Sequence, residues 1–234
     1  MATLSTPKLD VLWPALLSTR KSLQRTLEGS LAAPFWSAAD ESYRSFRLRF
    51  MLVGRATSGS YDQDAFLSQL KKSSSYALLG RKELNRRLVE DHRKSSPFWR
   101  AFVAGSRLCG EGGRFENAVW TNLNKIGYAG RDVDDDLFHK QEQLAEDTLR
   151  AEIDEYRPTA IHFAVGTLGG QCIFRATGTM DEDWQRLGEV GSPEREIWFI
   201  NSRKLKAVWT RHPNRAKRQL VQSWTTKLAE LIGE

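Results

Sequence analysis

Leu48-Arg49-Phe50-Met51-Leu52-Val53 runs straight into Gly54-Arg55-Ala56-Thr57-Ser58-Gly59-Ser60-Tyr61-Asp62. The first six residues are nearly all apolar, the pattern of a strand buried on both faces of a parallel sheet, where alternation is lost because neither face meets water. The small residues behind it mark a candidate site. In an open α/β sheet ligands bind outside the carboxyl ends of strands, and a backbone without bulky side chains lets a ligand approach closely. The same residues also suit a plain strand-to-helix turn. No Gly-Lys-Ser/Thr follows, so this is not a P-loop, and the three spaced glycines of a dinucleotide-binding turn are missing.

Working outward, the apolar-run pattern recurs. Ala118-Val119-Trp120-Thr121-Asn122 reads as a strand with an asparagine at its end, an amide that either satisfies turn backbone groups or reads the edge of a nucleobase. Arg157-Pro158 breaks a helix before the strand Ala160-Ile161-His162-Phe163-Ala164-Val165 and Gly166, which is half of a βαβ unit. His162 lies inside that strand and reads as a hydrogen-bonded core residue. Residues 196–200 form a further strand, and Leu205-Lys206-Ala207-Val208-Trp209-Thr210 delivers His212-Pro213-Asn214.

Between the strands, helical spacing of leucines predicts an amphipathic helix over residues 7–27, with Pro14 tolerable only in a first turn. Further helices are expected over 64–72 and 76–94, where His92 reads as a solvated surface residue. Another opens at Ser96-Pro97 and runs towards Gly105, one follows Asp132–Asp136, and the last covers 215–233. The aspartates complement a helix N-terminus rather than a metal, and their spacing matches no calcium loop. Residues 178–193 read as a loop or lid. The expected fold is a three-layer α/β/α sandwich around a central, mainly parallel sheet. It forms a single domain over 1–234, with an N-terminal helical extension over about 1–46.

The 234 residues, 40% hydrophobic and 27% charged, suit one soluble domain with a sizeable core. The net charge of +6 says little alone, but its clustering says more: seven of the basic residues fall between Ser202 and Leu220, with no acidic residue among them. That stretch suits a bound polyanion. The two cysteines, Cys109 and Cys172, exclude a four-cysteine metal site and offer no disulfide framework, which points to a reducing cytoplasm. No apolar run is long enough to span a bilayer, and no secretory signal is evident. Neither a membrane partner, a metal nor an organic cofactor is expected, and the protein is expected to be a monomer.

Four features in this order, a strand ending in a Gly-led motif, a strand ending in Asn, a helix-Arg-Pro-strand-Gly element and a last strand ending in His-Pro, resemble the uracil-DNA glycosylase superfamily over about residues 47–234. The resemblance implies a monofunctional DNA glycosylase acting on uracil or a modified pyrimidine, in base-excision repair or in defence against phage with modified DNA. Its partner would be double- or single-stranded DNA. Gly54, Arg55, Ala56 and Thr57 would shape the base pocket, Asn122 would recognise the base, and Tyr61 and Trp99 would stack on it, although Trp99 by itself reads as a core-packing residue. His212 would donate to the base oxygen. Relatives often carry Asp or Asn where this chain has Ala56, so the water-orienting role passes to Asp62, Asp64 or Ser58, the two aspartates being equally suited to cap the next helix. Arg211, Asn214, Arg215, Lys217 and Arg218 would hold phosphates, with Asn214 in the place of the family's serine. A catalytically silent nucleic-acid-binding module on the same fold is the alternative. An α/β nucleotide or nucleoside hydrolase is a third class, which needs no basic patch.

Overall fold

A computed structural model describes residues 7–28, 31–32, 34–35, 37, 39–56, 97–110, 115–128, 133–166, 169–189, 192–211 and 218–233. Six strands make one sheet in the order β2-β1-β3-β6-β5-β4: β1 (Phe50–Ala56), β2 (Ala118–Asn124), β3 (Ala160–Ala164), β4 (Gln185–Arg186), β5 (Trp198–Asn201) and β6 (Lys206–Trp209). The first four in that order are parallel. β5 pairs with β6, and β4 with β5, in antiparallel fashion, so a short ribbon, exposed at β4, closes one edge. The expected three-layer α/β/α architecture with a mainly parallel sheet is the one observed.

One face of the sheet carries α1 (Pro7–Asp10), α2 (Trp13–Thr26), α4 (Asp135–Tyr156) and α5 (Gly170–Thr177) over a core that includes Met51, Val53, Val119, Leu123, Ile161 and Phe163. The other carries α3 (Pro97–Leu108) and α6 (Arg218–Gly233) over Phe50, Leu52, Trp120, Ala164 and Val208. Alternate strand residues serve the two cores, which is why β1 to β3 read as unbroken apolar runs.

Several local expectations hold and others are corrected. Asp134 caps α4 by accepting from the backbone N–H of Leu137 at 2.9 Å, and Arg157 ends it in the left-handed conformation (φ 48°). The single helix expected over 7–27 is two pieces. Pro14 has no N–H to donate back to Asp10, so the helix restarts with Pro14 in the first turn of α2. Gly105 does not stop α3. It lies inside the helix against Phe50, whose ring atoms would stand 2.2–2.6 Å from an added Cβ, so the glycine serves close helix–sheet packing. Part of the stretch read as a loop or lid is β4, the edge strand. The helices expected over 64–72 and 76–94, and with them His92, lie outside the described residues. Among the described residues no helix is long and apolar enough to cross a membrane.

Candidate functional site

The strand order fixes where a ligand can sit. The chain leaves β1 for β2 on one side and leaves β3 towards β6 on the other, so the sheet has its topological switch point outside the carboxyl ends of β1 and β3. Gly54 lies at that point, paired in register with Asn122 of β2 and Ala164 of β3. Of the four motifs singled out in the sequence, the Gly-led motif, Asn122 and Gly166 come at the carboxyl ends of the adjacent parallel strands β1, β2 and β3, while His212-Pro213, beyond β6, lies outside the described residues.

The sequence places the end of β1 at Val53, but the strand continues through Gly54, Arg55 and Ala56, and β2 likewise runs two residues past Asn122. Ala56 pairs with Asn124 across the extension. This corrects the turn role that Asn122 would otherwise have: it is a strand residue, only 2% exposed, with its side chain laid across Gly54. A Cβ at position 54 would come within 2.5 Å of Asn122 Oδ1 and 3.0 Å of the Phe98 ring, so glycine is what makes room for the amide. Asn122 Nδ2 is buried with no hydrogen-bond partner among the described residues. Leaving such a donor unpaired costs about 1–3 kcal/mol, so the position calls for an acceptor.

Asn124, on the same face of β2, is fully buried and donates from Nδ2 to Arg55 O at 3.0 Å, while its Oδ1 has no partner among the described residues. Arg55 itself turns to the opposite face, where Nη2 donates to Val133 O at 2.5 Å, so its guanidinium is not brought to Asn122. An aromatic wall closes the β2 side. Phe98 stands edge-on to Trp99 and Trp120, and Phe35 stacks at a tilt on Trp120 with centroids 4.4 Å apart. Phe98 is the ring beside Gly54 and Asn122. Trp99 packs against Phe102 and Trp120 in the core.

On the far side of the notch His162 is buried, as the sequence suggests. Its Nε2 lies 2.8 Å from Thr210 Oγ1, and its ring lies 4.2 Å from that of Trp224. Thr210 spends its only hydroxyl proton on Arg211 O at 2.9 Å, so it accepts from His162, and Nε2 carries the imidazole proton. This pair ties the residue after β6 to β3.

The basic stretch is divided by the strand within it. Arg203 and Lys204 lie in the turn before β6, and Lys206 at its start gives its ammonium to Leu231 O at 2.6 Å, capping α6. Arg211 is on the carboxyl side, 60% exposed and ion-paired with Glu196 at 2.8 Å. His212, Asn214, Arg215 and Lys217 lie outside the described residues, as do Thr57, Ser58, Tyr61, Asp62 and Asp64. Of Arg218 only its place at the start of α6 is described.

Two residues of the site, Phe98 and Asn124, are missed by sequence reasoning. The signal for Phe98 is its place directly after Pro97, the first residue of α3. For Asn124 it is the spacing of two from Asn122, which puts both amides on one face of a strand. No family model matches this sequence, and no curated protein is significantly similar to it.

Proposed function

We propose that the protein is a monofunctional DNA glycosylase that hydrolyses the N-glycosidic bond of a flipped uracil or modified pyrimidine and leaves an abasic site. The observation that carries this reading is Asn122, a buried amide with an unpaired N–H at the switch point of the sheet, set over a glycine notch and beside an aromatic ring. A flat heterocycle with a carbonyl fits those demands: the ring packs against Phe98 and the oxygen accepts from Asn122 Nδ2.

Cleavage of the C1′–N bond puts negative charge on the departing base and positive charge on the sugar, so donors aimed at the base oxygen stabilise the transition state more than the ground state. Asn122 supplies one. His212, three residues past the end of β6 in sequence, is assigned the other. Base flipping costs a few kcal/mol, which phosphate contacts by Arg211, Arg215, Lys217 and Arg218 offset.

The test is a panel of duplex and single-stranded DNA carrying uracil, mismatched or hypermodified pyrimidines, scored for alkali-labile abasic sites. Wild-type protein cleaves at least one substrate, Asn122→Ala slows cleavage by about 100-fold or more, and His212→Ala abolishes it. Absence of abasic sites across the whole panel overturns the reading. Ala56 is the observation that favours the second reading, a catalytically silent DNA-binding module, because it leaves β1 without a carboxylate. Tight, salt-sensitive DNA binding unaffected by His212→Ala, with no cleavage, would establish that alternative.

A further inference from the structure

We infer that Asn124 holds the attacking water, taking over from the neighbouring strand the task for which Ala56 has no polar side chain. The inference rests on the glycosylase reading and deepens it. Three observations carry it. Asn124 is the register partner of Ala56, so the two Cα atoms stand about 5 Å apart, one strand spacing, and Asn124 is the polar residue next to position 56 on the adjacent strand. Its orientation is fixed, because Nδ2 donates to Arg55 O at 3.0 Å. That bond leaves Oδ1 facing away, buried and with no partner among the described residues.

An amide oxygen only accepts, so what completes it is an O–H or N–H. Asn122, one step back on the same face, offers the opposite, a donor that needs an acceptor. Adjacent sites of opposite sense suit two different groups: the carbonyl of a base at Asn122 and a water O–H at Asn124. In the step that follows, the water oxygen's lone pair forms the bond to C1′ while the C1′–N pair leaves on the base. Asn124 cannot take up the water's proton. It passes to solvent and the base anion regains one, so the balance is glycoside plus water to sugar plus free base. The amide's contribution is therefore position. The competing view of the same atoms is a single trapped water that bridges Nδ2 of Asn122 and Oδ1 of Asn124 and serves stability alone.

The experiment measures single-turnover rate, DNA affinity and thermal midpoint for wild type, Asn124→Ala and Ala56→Asp/Asn124→Ala, on whichever substrate of the panel wild type cleaves. Expected for Asn124→Ala is a rate loss of about 100-fold with DNA affinity unchanged. Returning a polar group at position 56 then recovers about tenfold or more of the loss. Since Asn124→Ala also removes the bond to Arg55, Ala56→Val is the second variant. It crowds the water while keeping that bond, and it slows the reaction without loosening DNA. A wild-type rate in Asn124→Ala, or rate and affinity falling together in both variants, overturns the role of Asn124 while the glycosylase reading stands. A wild-type protein inactive on every substrate removes the reading, and this inference with it.

Discussion

Glu152→Gln is expected to remove a large share of the protein's stability, because Glu152 is the counter-charge of a lysine that has no access to water. Lys125 and Glu152 side chains are 0% and 1% exposed, and Nζ meets the two carboxylate oxygens at 2.7 and 2.8 Å. The same carboxylate accepts from Thr121 Oγ1 at 2.8 Å and from Ser37 Oγ at 2.6 Å, and Thr121 Oγ1 also accepts from Nζ. Burial alone pulls the Lys125 ammonium below its ordinary pKa, and the nearby carboxylate pulls it back, so the charge persists on the strength of Glu152. Neutralising the partner leaves a buried cation with one hydroxyl oxygen and an amide. Breaking a buried pair in this way costs about 3–5 kcal/mol, against a total of about 5–15 for a domain. Lys125→Met/Glu152→Gln removes both charges and is expected to be more stable than Glu152→Gln alone. Guanidinium denaturation of wild type, both single variants and the double variant gives the coupling directly, with unchanged m-values confirming that the transitions are comparable. Refutation is simple: Glu152→Gln within about 1 kcal/mol of wild type, or a double variant that loses the sum of the singles, would mean that the pair is not the buried, charged unit described.

Three further outcomes are expected. Gly54→Ala forces a Cβ to within 2.5 Å of Asn122 Oδ1, so about 1–3 kcal/mol of stability is lost and cleavage falls with it; a fully stable, fully active variant would show that the notch is not needed. The alkaline limb of stability should be steep. Burial pushes the Cys109 and Cys172 thiols from 9.0 up to about 12 and raises Tyr43 and Tyr156, so these groups hold their protons in the fold and give them up when unfolded. Their contribution is complete below pH 9 and is lost as pH rises towards 12, each thiol costing about 1.4 kcal/mol per pH unit in that window, while the lowered Lys125 opposes this only below its ordinary value of 10.5; a denaturation midpoint unchanged from pH 8 to 11 would contradict this. If only Arg211 and the three cations after it grip phosphates, the slope of log affinity against log salt on duplex DNA is no steeper than about −3.6, and a slope near −6 would bring in the cations at the other end of β6.

How much of this was legible in the sequence depends on what each residue's neighbour is. The parallel strands were readable because burial on both faces leaves an unmistakable apolar run, and the end of α4 was readable because Arg157-Pro158 and the aspartates at its start act locally. The reach of β1 through Ala56 was not, since nothing in Gly54-Arg55-Ala56 favours strand. What extends it is pairing with residues more than sixty positions away in β2. Gly105 misled for the same reason: its cause is the ring of Phe50, fifty-five residues earlier, and not a local need to end the helix.

The site divides along the same line. The place of Asn122 at the end of an apolar run suits a turn as well as a base-reading amide, and the fact that gives it chemical meaning, an unpaired N–H over Gly54, comes from the register of two strands. The basic stretch misled in the opposite direction. Seven cations crowded in sequence read as one surface, yet a strand rises about 3.3 Å per residue, so the four residues of β6 carry Arg203, Lys204 and Lys206 about 10 Å or more from Arg211. Lys206 is already engaged by Leu231 and Arg211 by Glu196. A DNA backbone approaching the carboxyl edge thus meets Arg211 only by competing with a carboxylate. On the proposed reading, specificity rests on the buried amides at Asn122 and Asn124, which reward one shape of ligand and penalise another by leaving a donor or an acceptor unmet.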